Sequence, residues 1–311
     1  MATIVGHRCV LSDGVTIALF LRRHPKPALP GLVVLLHGRL HNSKKGPCAE
    51  LFTKLPYSAL IFDARGMGES GGSSGWSNIE EEVNDLKEII KYVKENFEAP
   101  HNQILALIGH SKGASIGFQY ASQVTFCKDL AQPMLYDERY RPALLVSLSG
   151  RYDTTDTGLS RFTFEQQAQL EKEGRFVWLR YRAGPDREER REYVVTKEAV
   201  EQAKHRTLEC VKDLGDNCQV LLLHGRADGT VLCKEAEKID QAIRDNNSSA
   251  SVDLLMIEGV KHNWDQEGEI ELASHCIEGW IQRRAGRDST RIPEEKIVDH
   301  LGPHREKQGS A

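Results

Sequence analysis

The chain has 311 residues, 40% of them hydrophobic and 28% charged, and carries a net charge of −4. That size can bury a large core, either as one α/β domain with an insertion or as two domains. The slight acidity excludes the basic footprint of a nucleic-acid or anionic-membrane partner. Arg187, Arg190 and Arg191 alternate with Asp186, Glu188, Glu189 and Glu192, as a solvated face does.

Residues 1–8 lack a basic segment followed by an apolar run, and no later stretch is long enough for a membrane span, which predicts a soluble, cytoplasmic protein. The seven cysteines, at 9, 48, 127, 210, 218, 233 and 276, are odd in number and lack C-x-x-C spacing. Reduced thiols are expected, with neither a disulfide framework nor a metal site.

In chain order, residues 8–11 and 16–22 flank the turn Ser12-Asp13-Gly14-Val15 and read as an antiparallel hairpin at a sheet edge. A loop over 24–30 with three prolines precedes the buried strand 31–36, which stops at His37-Gly38-Arg39. A glycine directly after such a strand lets the next amide, that of Arg39, face a ligand.

A short helix over 48–55 and a strand over 58–63 follow. The loop Ala64-Arg65-Gly66-Met67-Gly68 lacks both G-x-G-x-x-G spacing and a G-K-[ST] element, so no nucleotide cofactor is expected. Residues 80–97 predict an amphipathic helix with Val83, Leu86, Ile89, Ile90, Val93 and Phe97 on its apolar stripe.

The next stretch organises the chain: the apolar run 104–108, then Gly109-His110-Ser111-Lys112-Gly113, then helix-compatible residues. A serine on a sharp strand-to-helix turn is lifted clear of the sheet, and such a turn leaves no room for side chains two positions away on either side. Ser111 is therefore the candidate nucleophile. The amides of Lys112 and Arg39 are the candidate oxyanion donors, the first at a helix N-terminus.

A further buried strand, 143–149, ends at Gly150, and the β-α alternation to this point predicts a parallel sheet with right-handed crossovers. Residues 151–207 break the rhythm. They show no apolar strand run but carry Tyr152, Phe162, Phe164, Phe176, Trp178 and Tyr181, which predicts a helical cap, or lid, over the carboxyl edge of the sheet. The core then resumes with strand 220–224, helix 234–244, strand 252–257 and helix 269–284. Residues 285–311 are expected to be a flexible tail with one helical turn near 294–300.

A serine nucleophile needs a base, and the base needs an orienting carboxylate, both from loops at the same sheet edge. Asp228 and His262 each lie a few residues past a buried strand and after Ser111. Asp153 is the rival carboxylate. Among rival bases, His110 and His224 sit by glycine turns, His275 lies inside a helix and His300 in the tail.

Five ordered motifs now stand together: His37-Gly38, Asp63-x-Arg65-Gly66-x-Gly68-x-Ser70, Gly109-His110-Ser111-Lys112-Gly113, His224-Gly225-x-x-Asp228-x-x-Val231 and Gly259-x-x-His262. Over residues 8–284 the chain resembles the α/β-hydrolase superfamily, most of all the serine-esterase branch of monoacylglycerol lipases, cinnamoyl esterases and proline iminopeptidases. The resemblance implies an α/β-hydrolase core over 1–150 and 208–284 with a cap over 151–207. It also implies Ser111, Asp228 and His262 as catalytic triad, Arg39 and Lys112 amides as oxyanion hole, and no cofactor.

Arg39 and Lys112 are long cations where smaller or apolar residues are usual, so an unusual mouth to the acyl pocket is expected. The implied activity is hydrolysis of a small-molecule carboxylic ester with an apolar or aromatic acyl group. A thioesterase or acyltransferase and a serine aminopeptidase share the same triad. The aminopeptidase would need cap carboxylates such as Glu165, Glu171 or Glu173 to hold a substrate ammonium. A non-catalytic scaffold is the alternative of another class, and the oligomeric state is left open.

Overall fold

The structure, a computed structural model, describes residues 2–76, 78–126, 144–153, 159, 162–204, 206–215, 218–245 and 250–285. The expected tail beyond 285, with its turn near 294–300, lies outside the described residues.

The sheet opens with β1 (Thr3–Val10), β2 (Thr16–Arg23), β3 (Leu32–Leu36) and β4 (Ser58–Phe62). It continues with β5 (Ile104–His110) and β6 (Leu144–Leu148). After the insertion strands β7 (Arg175–Ala183) and β8 (Glu189–Thr196), it ends with β9 (Gln219–Gly225) and β10 (Ser251–Ile257). Eight of these form one sheet in the order β1-β2-β4-β3-β5-β6-β9-β10. The hairpin β1–β2 and the pair β2–β4 are antiparallel, and every other neighbour is parallel.

The parallel strands read as unbroken apolar runs because both of their faces are covered. The pleat sends Val34 and Leu36 of β3 to one side and Val33 and Leu35 to the other. On the first side lie α2 (Ile79–Asn96), α3 (Lys112–Phe126) and α6 (Lys234–Asp245), and on the second α1 (Pro47–Lys54) and α7 (Glu269–Ala285). Val83, Leu86, Ile89, Ile90 and Val93 of α2 are fully buried. At about 2 kcal/mol each, that stripe gives α2 on the order of 10 kcal/mol of docking energy before entropy is charged against it.

The insertion differs from the helical cap expected. Helices α4 (Phe164–Glu173) and α5 (Lys197–Lys204) are present, but between them β7 and β8 form an antiparallel two-stranded sheet. These strands alternate instead of running apolar. Phe176, Tyr193 and Val195 turn inward, while Arg175, Arg180 and Arg182 face water. A strand buried on one face only has period two, and a search for continuous apolar runs passes over it. Among the described residues no helix is long and apolar enough to cross a membrane.

Candidate active site

The turn from β5 into α3 holds Ser111 at φ 53°, a left-handed conformation that costs a serine strain and lifts its side chain off the sheet. Its amide donates to Leu148 O at 2.9 Å, which ties the turn to β6. The flanking glycines are a steric necessity. A Cβ on Gly109 would lie 2.4 Å from the Ala114 amide nitrogen, and one on Gly113 would lie 2.0 Å from Leu36 O.

The loops after β9 and β10 are fastened to one another at the same edge. Arg226 N donates to Ile257 O at 2.8 Å and Ala227 N to Val260 O at 3.1 Å. From them come Asp228 and His262. Asp228 Oδ2 accepts from His262 Nδ1 at 2.7 Å, and His262 Nε2 lies 3.1 Å from Ser111 Oγ, within reach of its hydroxyl proton. The structure thus brings all three side chains into one hydrogen-bonded line. Asp153, the rival carboxylate, faces away: its amide donates to Glu235 Oε2 and its carboxylate lies 3.7 Å from Lys238 Nζ on α6.

Asp228 has no side-chain exposure. Burial alone would raise its pKa, but donors from His224 and His262, the charge of His262 and the Val231 amide hold it well below the usual carboxylate range. Its Oδ1 accepts the amides of Thr230 and Val231, both at 2.8 Å. His224 Nε2 donates to Val231 O at 2.8 Å and lies 3.3 Å from Asp228 Oδ2. The carboxylate is therefore fixed in both orientation and charge.

Two neighbours position the His262 loop. His110 is buried under it and donates Nε2–H to His262 O at 2.9 Å, the local bonding its place beside the glycine turn implies. Burial, with the adjacent His262 and His41 rings, drives the pKa of His110 well down, so it stays neutral. Trp264, fully buried and at φ 52°, donates Nε1–H to Ser149 Oγ at 3.1 Å and anchors the loop two residues past His262. His37 is occupied structurally: its Nδ1 donates to Gly38 O and its Nε2 accepts from Ala64 N.

The two candidate oxyanion donors, Arg39 and Lys112, both line a cavity of about 220 Å³ together with Ser111 and His262. Their side chains do not stand free at its mouth. The Arg39 guanidinium donates to Trp76 O at 2.8 Å and Tyr193 Oη at 3.0 Å, and lies 4.0 Å above the Trp76 ring, so it joins the core to β8 of the insertion. Lys112 Nζ lies 2.5 Å from Glu82 Oε1 of α2, a pair with only 6% and 5% side-chain exposure.

Trp76 and Trp178 form the aromatic wall, edge to face at 5.2 Å, with Ile79 and Val231 beside them. Among the described residues no aspartate or glutamate lines the cavity. Glu165, Glu171 and Glu173 are exposed on α4; Glu171 pairs with Lys197 and Glu173 accepts from Gln169. Among the described residues no group of three or more His, Cys, Asp or Glu side chains could hold a metal ion. Sequence reasoning missed Trp264, the Lys112–Glu82 pair and Arg151, another cavity residue. Trp264 alone carried a signal, as a large aromatic two positions past the candidate base.

Residues 27–147 match the Hydrolase_4 family model, described as serine aminopeptidase, S33. No curated protein sequence matches the chain. Solved structures share its fold at low identity. A putative hydrolase from Agrobacterium vitis S4 is 18% identical over 90% of this chain and 99% of its own, with a TM-score of 0.63. The Pyrococcus furiosus esterase Pf2001 is 16% identical over 91% of each chain, with a TM-score of 0.63. Est1E from Butyrivibrio proteoclasticus is 15% identical over 90% of this chain and 98% of its own, with a TM-score of 0.61, and has also been solved with ferulic acid bound.

Proposed function

We propose that this chain, which has the α/β-hydrolase fold, is a serine hydrolase of that superfamily and cleaves carboxylic esters through an acyl-enzyme. The observation that carries the reading is the line Ser111 Oγ, His262 Nε2, His262 Nδ1, Asp228 Oδ2, with spans of 3.1 and 2.7 Å, opening on a cavity at the carboxyl edge of the sheet.

In the first half-reaction His262 takes the Ser111 proton as Oγ attacks the ester carbonyl. The carbonyl oxygen gains its charge between the amides of Arg39 and Lys112, each contributing about 3 kcal/mol at the transition state. His262 then returns the proton to the departing alkoxide, leaving Ser111 acylated. In the second half-reaction water loses a proton to His262, attacks the acyl group and frees the acid. Asp228 holds the imidazole in the tautomer that accepts at Nε2.

Trp76, Trp178, Ile79 and Val231 suit an apolar or aromatic acyl group, and the ferulic acid bound by one neighbour agrees with a small-molecule substrate. Residues 151–207 act as the lid, since Trp178 reaches the cavity and Tyr193 holds Arg39. An aminopeptidase, the activity named by the family model, needs an anion for the substrate ammonium, and among the described residues the cavity wall offers none.

Purified protein assayed on p-nitrophenyl butyrate, an acyl thioester and an aminoacyl anilide tests this. Ester turnover should exceed anilide turnover and fall at least about 10³-fold in Ser111→Ala. Preference for the anilide overturns the ester assignment, and undiminished ester turnover in Ser111→Ala overturns the mechanism.

A further inference from the structure

We infer that the site is built for an ester carrying a free carboxylate, and that Arg151 binds that second anion; the inference rests on the hydrolase reading above.

Arg151 follows Gly150 directly past the end of β6, at the edge that presents Ser111, Asp228 and His262, and it lines the same cavity. Among the described residues, three long-chain cations stand in that wall, Arg39, Lys112 and Arg151, and no carboxylate does. Two of the three are already engaged. Lys112 is neutralised by Glu82, and Arg39 is held by Trp76 O, Tyr193 Oη and the Trp76 ring. Arg151 makes one hydrogen bond, from Nη2 to Thr230 O at 2.7 Å, and forms no ion pair among the described residues.

A guanidinium presents five N–H donors in a planar fork. With one of them on Thr230, a free edge remains that matches the two oxygens of a carboxylate, and Arg151 is only partly exposed, so the interaction escapes full screening by water. The apolar wall of Trp76, Trp178, Ile79 and Val231 takes the stem between the carboxylate and the scissile carbonyl. The substrate class is therefore a half-ester of a dicarboxylic acid, or an ester whose alcohol bears a carboxylate.

The bond to Thr230 O also lets Arg151 brace the loop that holds Asp228. The two roles separate cleanly. A brace affects every substrate alike, whereas an anion site affects the charged one.

The test compares kcat/KM on p-nitrophenyl hydrogen glutarate with that on the neutral p-nitrophenyl pentanoate, for the native chain, Arg151→Met and Arg151→Lys. The native chain should favour the glutarate. Arg151→Met should lower the charged-to-neutral ratio about 10- to 100-fold, chiefly through KM, with Arg151→Lys in between and the preference shrinking at 0.5 M NaCl. A native preference for the pentanoate, or parallel losses that leave the ratio unchanged, overturns the inference.

If neither ester is hydrolysed, the hydrolase reading fails by itself and binding decides the anion site. Calorimetry with monobenzyl glutarate on Ser111→Ala should give binding that Ser111→Ala/Arg151→Met loses. No binding, or binding that the second substitution leaves intact, overturns it.

Discussion

Removing one member of the Lys112–Glu82 pair should destabilise the protein more than removing both. The ammonium and carboxylate meet at 2.5 Å, and each side chain keeps about a twentieth of its surface in water. Arg65, the other buried cation that pairs with α2, is spent elsewhere: it holds Asp85 with two hydrogen bonds, at 2.8 and 2.5 Å, and pairs with Glu81. Lys112→Met therefore leaves Glu82 as a buried charge without its counterion, and Glu82→Met does the same to Lys112. Either should cost about 3–5 kcal/mol. The double substitution removes both charges and keeps roughly the same volume, so it should return to within about 1 kcal/mol of the native chain. Urea unfolding at pH 7.5, with the four proteins treated as a double-mutant cycle, measures this. The expected coupling exceeds about 2 kcal/mol. Single substitutions that cost under 1 kcal/mol, or losses that simply add, would show that the charges do not compensate one another in a water-excluded site.

Acid should loosen the fold through His41. Burial, helped by His37 and Lys45, lowers its pKa from 6.5 to about 4, so the unfolded chain takes up the proton first as pH falls. That stability is fully present above pH 6.5 and is lost progressively toward pH 4, the loss reaching about 2 kcal/mol at pH 5. The drop in urea-unfolding free energy between pH 7.5 and pH 5 should shrink by about that amount in His41→Gln; an unchanged drop would refute the assignment. Gly113→Ala forces a Cβ to 2.0 Å from Leu36 O and should cost at least about 3 kcal/mol, whereas Gly6→Ala meets nothing within 4 Å and should stay within about 0.5 kcal/mol. Comparable losses in the two urea curves would contradict the close approach at the elbow. Asp228→Asn should lower kcat on p-nitrophenyl butyrate about 10³- to 10⁴-fold, because the imidazole loses the acceptor that sets its tautomer; a loss below tenfold would remove Asp228 from that role.

Much of this architecture was legible because its signals are carried by the main chain. Buried parallel strands show as apolar runs, and the turn at Ser111 shows as glycines at 109 and 113, each forced by a backbone approach within 2.5 Å. The loop positions of Asp228 and His262 follow from strand ends in the same way. What escaped depends on where long side chains travel. Arg39 and Lys112 could be read as amides after a strand and at a helix start. That one side chain reaches Tyr193 and the other Glu82 depends on residues far away in the chain. Glu82 sits in the first turn of α2 on its inner side, and a stripe defined by apolar residues omits it. β7 and β8 escaped because their arginines and glutamates break the apolar run at alternate positions. Arg151 carried no pattern of its own, being one arginine after a glycine.

The central claim is that His262 makes Ser111 a nucleophile. Treating the folded protein with a fluorophosphonate and mapping the adduct by mass spectrometry tests it most directly. One adduct is expected, on the Ser111 hydroxyl and not on the neighbouring cavity residue Ser115. It should be absent from Ser111→Ala and slowed by orders of magnitude in His262→Ala. A folded native chain that remains unlabelled, or labelling that proceeds equally fast without His262, would contradict the account.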